Sequence, residues 1–221
     1  VYPEKDTDEE VLEVPNLEGK EVTYKKGEPY SRKCHYHITM INGIDPQHLK
    51  TVHDIHIDMD LKIESDKRNH IDIELSGKVP SEKLQEKIFK KIFGDSYSYS
   101  MKYADGCLAA LTVMKGVKLF GKEGIIPELH MFFAYQKVEE GHTLVQPIYV
   151  TEKRPGIWGK VKSAFCLWLT KRLFFFLQGE DGEIYNNIRF NTDCLLPIDS
   201  PVAKYIAYIN RLEPSVWSVN S

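Results

Sequence analysis

Alternation of hydrophobic and polar residues predicts a sheet along much of this chain. Apolar side chains occupy every second position from Ile55 to Ile63, and a polar turn leads into a second alternating run that ends at Leu75. This pattern predicts a β-hairpin with one apolar face. Aromatic and β-branched content predicts further strands near 33–41, 97–104, 107–115, 129–137 and 142–151. Their hairpin-like spacing makes the predicted sheet mostly antiparallel.

Two segments predict short helices. One is predicted over 82–93, between Ser81 as a candidate N-cap and Gly94 after its last turn. The other is predicted to begin at Ser200 and Pro201, a cap followed by a residue that suits the first helical turn, and to end before Pro214. Its buried residues are predicted to be Val202, Tyr205, Ile206 and Ile209.

The stretch 157–177 is rich in tryptophan, phenylalanine and leucine, yet it also contains Lys160, Lys162, Lys171 and Arg172. Those charges argue against a transmembrane span, which needs about 20 residues with few or no charged side chains. We therefore predict a long helix that packs across the sheet. Contact with a membrane surface is the alternative, and it is disfavoured because packing in the core accounts for the same aromatic residues.

Composition indicates one domain. At 221 residues and 42% hydrophobic content, the chain can bury one substantial core, so we predict a single domain over 1–221 with a linker-like acidic segment at 1–20. The net charge of −3 gives no electrostatic reason to expect nucleic acid as a partner. The four cysteines lack paired spacing, which favours free thiols in a reducing compartment and predicts a cytoplasmic location.

Candidate chemistry is concentrated in residues 42–53, NGIDPQHLKTVH. His48 and His53 provide two imidazoles, and Asp45 provides a carboxylate three residues before the first. Two histidines with one carboxylate form the iron(II) triad of non-haem oxygenases. In a regular helix His48 and His53 point about 140° apart. The helix is therefore predicted to end or bulge between Leu49 and Val52. If it ends there, His48 lies in its last turn and His53 at the junction with the next strand.

The full string Asn-x2-Asp-Pro-x-His-x4-His resembles the mononuclear iron motif of the Rieske-type ring-hydroxylating oxygenases. The resemblance implies that His48 and His53 bind Fe(II) and that Asn42 lies near the metal. It also implies that Asp45 accepts a hydrogen bond from an iron-bound histidine and bridges towards the Rieske cluster of a neighbouring subunit. Capping of the helix that begins at Pro46 is the alternative role for Asp45, and both roles can coexist.

The third ligand is expected far along the chain, in a string similar to Glu180-Asp181-Gly182-Glu183. Asp181 is the first choice, followed by Glu183 and then Asp193, and Glu180 could also substitute. An acidic cluster beside two glycines is otherwise typical of a solvated loop. His56, on the polar face of the first predicted strand, is a minor rival for a histidine ligand.

The resemblance implies an α+β helix-grip fold, in which an antiparallel sheet wraps around a long helix near the C-terminus. It places an apolar substrate between helix and sheet. Position on the predicted strands suggests walls that include Met101, Leu111, Phe132, Phe133 and Tyr135, and the alternative is that most of these are ordinary core residues. The resemblance implies dioxygen as co-substrate, a ferredoxin or reductase as electron donor and a homotrimeric assembly. The expected reactions are hydroxylation, dihydroxylation and oxidative demethylation, among which the residues do not choose.

A Rieske two-iron, two-sulfur cluster needs Cys-x-His and Cys-x2-His pairs, and this sequence supplies only Cys34 and His37 at the second spacing. The chain is therefore expected to be the catalytic portion of a longer polypeptide, with the cluster before Val1, or else a relative without the cluster. Two other functions stay open. A helix-grip carrier of hydrophobic ligands would use the histidines structurally and bind no metal. A zinc hydrolase could also use two histidines and one carboxylate, although the HExxH helix pairing is absent.

Overall fold

The computed structural model describes residues 12–52, 59–78, 87, 90, 94–115, 117–119, 122–123, 127–185 and 195–212. Within these ranges lie ten strands, which are β1 (Val22–Lys26), β2 (Tyr30–Arg32), β3 (Met59–Asp66), β4 (His70–Lys78), β5 (Ser96–Ala104), β6 (Leu108–Lys115), β7 (Lys118–Leu119), β8 (Lys122–Glu123), β9 (Leu129–Glu139) and β10 (His142–Glu152). The α-helices there are α1 (Tyr36–Asn42), α2 (Pro46–Val52), α3 (Gly156–Ile184) and α4 (Ser200–Asn210). Single 3-10 turns lie at Pro15–Leu17 and Pro197–Asp199.

Eight of these strands form one antiparallel sheet in the order β1-β10-β9-β6-β5-β4-β3, and β2 pairs with β10 beside β1. Strands β7 and β8 form a separate small ribbon. Neighbouring strands follow one another along the chain except where β6 pairs with β9 and where β1 and β2 pair with β10. The antiparallel sheet predicted from alternation and turn spacing is thus confirmed.

The hydrophobic core lies on one face of this sheet. One row of its side chains runs across five adjacent strands through Ile73, Met101, Leu111, Met131 and Tyr149. Met40 of α1, Phe174 of α3 and Tyr205 of α4 join the same cluster, so the helices cover the face that the row occupies. Each large apolar side chain buried in this way contributes about 1.5–3 kcal/mol. The arrangement is the α+β helix-grip fold that the sequence predicts.

One predicted strand is wrong. The segment 33–41 was expected to be extended, but Tyr36–Asn42 forms α1, and the ring nitrogen Nδ1 of His35 accepts the backbone N–H of His37 at its start. The buried residues Ile41 and Ile44 follow the buried Met40 by one and four positions, which is the period of a helix face and not of a strand. The predicted helix at 82–93 lies almost wholly outside the described residues.

The long helix is confirmed and extends beyond its prediction, but its packing differs. Trp158, Phe165 and Trp168 are among the large apolar side chains of α3 that face solvent, so packing in the core does not account for them. No helix in the described parts of the chain combines the length and the hydropathy needed to cross a membrane.

Helix α4 confirms the prediction at the C-terminal end with small shifts. Ser200 is its first helical residue and Asp199 is the residue at the cap position, one place earlier than predicted, which is within the usual spread of helix ends. Val202 and Tyr205 are buried as expected, but Tyr208 is the third large buried side chain, while Ile206 and Ile209 are only half-buried.

Candidate functional site

Helix α2 carries His48 and is held at both its start and its side. The Oδ1 atom of Asp45 accepts the backbone N–H of Gln47 at 2.9 Å, which caps the first turn after Pro46. The side-chain amide of Gln47 donates to Asp199 at 2.7 Å, tying α2 to the turn before α4. The helix is described as far as Val52, and His53, the second histidine of the motif, lies outside the described residues.

The structure brings His48 and Asp181 together. The Nε2 atom of His48 lies 2.9 Å from the Oδ1 atom of Asp181, although the two residues are 133 positions apart. His48 is 8% exposed and Asp181 5% exposed. Asp181 lies in the last turn of α3, which lies against β9 and β10, so the length of α3 determines where this carboxylate meets α2.

The second carboxylate oxygen of Asp181 faces its own helix. Tyr185, one turn later, donates its hydroxyl to Oδ2 at 3.3 Å, and the amide of Gln178, one turn earlier, donates to the same atom at 3.5 Å. Burial, and then the charge of Asp181, raise the pKa of Tyr185 well above its usual value. Tyr185 therefore stays a neutral donor across the physiological pH range, and Asp181 is held with Oδ1 towards His48.

An arginine supports this arrangement from β2. Arg32 donates to the side-chain oxygen of Gln178, and its guanidinium lies 5.2 Å from the centre of the Tyr185 ring and 4.6 Å from that of Tyr30. Such cation–π contacts contribute about 0.5–2 kcal/mol each, with the larger values in desolvated places. Arg32 thereby fixes the two residues that hold Asp181.

Asn42 closes α1 on the same side of the molecule. It is buried, and its Nδ2 atom makes no well-aligned hydrogen bond with the described residues. Its amide lies beside the Tyr185 hydroxyl and lowers the pKa of that hydroxyl, but burial raises the same pKa by more. Helix α1 is itself fastened to the sheet, because Tyr103 donates its hydroxyl to the carbonyl of Met40 at 2.6 Å. Asn42, Tyr185 and Asp181 thus form one buried polar group.

The donor atoms present suit a divalent metal as far as the structure describes them. The ring nitrogen Nε2 of His48 and the carboxylate oxygen Oδ1 of Asp181 lie 2.9 Å apart, and both are atom types that bind divalent metals. His53, His56 and Asp193 lie outside the described residues, as do the side chains of Glu180 and Glu183. The described part of the chain contains no group of three histidine, cysteine or acidic side chains that could hold a metal.

The proposed pocket walls divide between the two faces of the sheet. Met101 lies directly beneath the motif, because a β-carbon on Gly43 would come within 2.8 Å of its methyl group. Leu111 is its neighbour across the strand pair, and Tyr135 also contacts the core cluster. Phe132 lies on the opposite face, because successive residues of β9 alternate and Phe133 points into the core.

The supporting residues Tyr30, Arg32, Gln178 and Tyr185 were missed at the level of sequence. Gln178 and Tyr185 precede and follow Asp181 by three and four positions, the spacing at which helical side chains meet, so this signal was available. Arg32 gave no such signal, because only the folded sheet brings β2 to the end of α3.

Comparison with known proteins shows the fold and no more. No protein-family profile matches the chain, and no curated protein matches it either. Among solved structures, dicamba monooxygenase bound to 3,6-dichlorosalicylic acid is similar at 13% identity with a TM-score of 0.55, over 85% of this chain and 59% of that one. NdmB of Pseudomonas putida CBB5 is similar at 12% identity with a TM-score of 0.56, over 90% of this chain and 53% of that one.

A third similar structure is NdmA of Pseudomonas putida CBB5 with caffeine, at 13% identity and a TM-score of 0.52, over 91% of this chain and 54% of that one. This chain therefore spans less than two thirds of the length of these structures. At such identities the likeness establishes a shared fold.

Proposed function

We propose that this chain is the catalytic part of a Rieske-type non-haem iron oxygenase, in which His48, His53 and Asp181 hold Fe(II). The observation that carries the proposal is the 2.9 Å approach of His48 and Asp181. Both residues belong to the set that the motif resemblance implies, and they meet although 133 positions separate them. The fold shared with a monooxygenase adds support.

Iron(II) bound by two imidazoles and one carboxylate supplies open positions at which dioxygen and substrate can meet. The task of this chain is to orient the donor atoms. Tyr185 and Gln178 occupy Oδ2 of Asp181 and leave Oδ1 beside His48, which favours ligation through one oxygen. Such supporting hydrogen bonds fix the geometry of metal ligands.

Asp45 is proposed to bridge towards a Rieske cluster that lies outside this chain. Its Oδ1 atom already accepts the backbone N–H of Gln47, so the capping role holds the carboxylate in one orientation. A fixed carboxylate is suited to relaying a hydrogen bond between two subunits. In this proposal the electrons come from a ferredoxin or reductase, and a homotrimer brings the cluster and the iron together.

The substrate is proposed to be an apolar aromatic, sterol-like or polycyclic molecule. Met101, Leu111, Phe133 and Tyr135 belong to or pack against the core cluster on the face covered by the helices, and Met101 lies under Gly43 of the motif. A substrate bound there would lie near His48 and be shielded from water. Hydroxylation, dihydroxylation and oxidative demethylation are all compatible with this proposal.

Anaerobic titration of the metal-free protein with Fe(II), followed by measurement of bound iron and of the melting temperature, tests the proposal. The unmodified chain should bind about one equivalent and melt at a higher temperature, because a ligand of the folded state stabilises it. Asp181→Ala should lose both effects while keeping the far-UV circular dichroism of the parent.

Asp72→Asn is the matched control, since Asp72 is a buried carboxyl on the opposite face of the sheet. Burial raises the pKa of Asp72, so a neutral amide should be tolerated and iron retained. Two results would contradict the proposal. A parent protein that binds no Fe(II) points to a carrier, and full iron retention in Asp181→Ala moves the ligand to Glu183 or Asp193.

A further inference from the structure

Helix α3 has two apolar faces, and only one of them is buried. The buried face includes Cys166, Thr170 and Phe174. We call the other face the outer stripe, and its members are Ile157, Trp158, Val161, Phe165, Trp168, Phe175 and Phe176. Their exposed fractions run from 49% at Phe175 to 83% at Trp158. Single exposed apolar residues are ordinary, but a contiguous set on one element marks an interaction surface.

The outer stripe is continuous along the helix. At 100° per residue its seven side chains fall within an arc of about 100°, opposite the buried face, and they span about 30 Å of helix axis. Two of them stack, since the ring centres of Phe165 and Trp168 lie 5.8 Å apart. The guanidinium of Arg172 lies 5.7 Å from the Trp168 ring, so a cation is embedded in the stripe.

The charges around the outer stripe have one sign. Between Gly156 and Gly179 the sequence contains Lys160, Lys162, Lys171 and Arg172 and no acidic residue, in a chain whose net charge is −3. On the helical wheel Lys160 and Lys171 lie along one edge of the stripe and Lys162 along the other. A second copy of this chain would bring the same cations against one another, which disfavours self-association through this face.

From these observations we infer that the outer stripe docks on the surface of an anionic lipid bilayer. A helix with tryptophan and phenylalanine on one face and lysines along its edges lies in the interfacial plane, where the rings enter the headgroup boundary and the lysines reach the phosphates. Such contact is peripheral and needs no spanning segment. This inference replaces the expectation, drawn from the sequence, that these aromatic residues pack in the core.

Binding to vesicles tests the inference with the whole chain. Two of the three tryptophans lie in the outer stripe, so vesicles that contain phosphatidylglycerol should shift the emission to shorter wavelength and sediment the protein. Vesicles of phosphatidylcholine alone should bind at least about fivefold more weakly, because each basic residue near an anionic surface contributes about 1 kcal/mol. Soluble glycerol phosphate should produce no spectral shift, which separates a bilayer from a free phosphate.

Two variants locate the contact. Trp158→Ser with Phe165→Ser should lower partitioning at least about tenfold, because each ring would bury apolar area in the interface. Lys160→Glu with Lys162→Glu should lower it by a similar factor and reduce its dependence on salt. The matched controls are Tyr24→Ser, an equally exposed aromatic on β1, and Lys25→Glu with Lys26→Glu, two exposed lysines on the same strand. Neither control should change partitioning.

Three outcomes would overturn the inference. Equal binding to phosphatidylcholine and phosphatidylglycerol vesicles would remove the role of charge. Unchanged partitioning in both stripe variants would place the contact elsewhere. A dimer in light scattering without lipid, lost in Trp158→Ser with Phe165→Ser, would assign the outer stripe to a second copy of the chain instead.

Discussion

His48 and His130 are both buried histidines, but they lie on opposite sides of the sheet and have different partners. The Nδ1 atom of His130 lies 3.0 Å from the hydroxyl of Thr112, its neighbour on the adjacent strand. His48 instead meets the carboxylate of Asp181, from a helix 133 positions away. The first pair is local and uncharged, whereas the second brings an ionisable pair together inside the molecule.

This difference separates a structural histidine from a candidate ligand. Burial lowers the pKa of His130 to about 4, so His130 stays neutral near pH 7 and its hydrogen bond to Thr112 satisfies it. The ring nitrogen of His48 and the carboxylate oxygen of Asp181 are both atoms that bind divalent cations, and they lie side by side. Burial is common to both histidines, and the partner is what distinguishes them.

Removing each imidazole in turn is the strongest test of whether His48 and His130 have different roles. His48→Ala should weaken Fe(II) binding more than about 100-fold, because it deletes a proposed ligand and not merely its support. His130→Ala should keep the iron affinity and lose stability, by about 2 kcal/mol or more, because it opens a cavity and leaves the Thr112 hydroxyl without its partner. Iron titration and urea unfolding of both variants measure the two effects.

Equal iron loss in the two variants would contradict this distinction, since it would show that disturbance of the fold, and not ligation, controls metal binding. Equal retention would remove His48 from the site. The far-UV circular dichroism of both proteins identifies a variant that has merely failed to fold.

Most of the sheet could be predicted from the sequence, because a strand with one buried face repeats every two residues. The hairpin of β3 and β4 shows this, since the apolar residues Leu61, Ile63, Ile71 and Ile73 alternate with polar ones. Helix α1 could not be predicted in this way, because its seven residues contain less than two full repeats of the helical period. Its identity depends on contacts such as Tyr103 with Met40, which join residues distant in sequence.

The candidate site divides in the same way. The cap that Asp45 provides for α2 could be predicted, because an aspartate followed by Pro46 is a local signal for a helix start. The preference for Asp181 over Glu183 came from resemblance, because spacing alone does not say which side of a helix end faces a distant histidine. The exposed stripe on α3 escaped prediction because a helix that is apolar on both faces has the composition of a core helix.

The pH dependence of stability tests whether His130 is a buried, neutral, structural histidine. Because burial holds its pKa near 4 in the folded protein and an unfolded histidine titrates near 6.5, protons bind more readily to the unfolded chain between these values. The contribution of His130 to the free energy of unfolding should therefore be fully present above about pH 6.5. It should fall by about 2 to 3 kcal/mol as the pH drops towards 4.

Comparing His130→Gln with the parent isolates this contribution. His37, whose pKa burial also lowers to about 4, remains in both proteins and cancels. The free energies of unfolding should therefore converge as the pH falls from 7 to 4, because only the parent carries the penalty of His130. Parallel curves over this range would show that His130 does not titrate differently in the folded and unfolded states.

The smallest expected effect concerns the support of Asp181. Tyr185→Phe removes the hydroxyl that donates to Oδ2 but keeps the ring that packs under Arg32, so iron should still bind, about tenfold more weakly. Tyr149→Phe is the control, because the Tyr149 hydroxyl is also buried but has no hydrogen-bond partner among the described residues. Its removal should leave the iron affinity unchanged. If both variants bind Fe(II) as the parent does, the hydroxyl of Tyr185 does not orient the ligand, and Gln178 alone holds that side of Asp181.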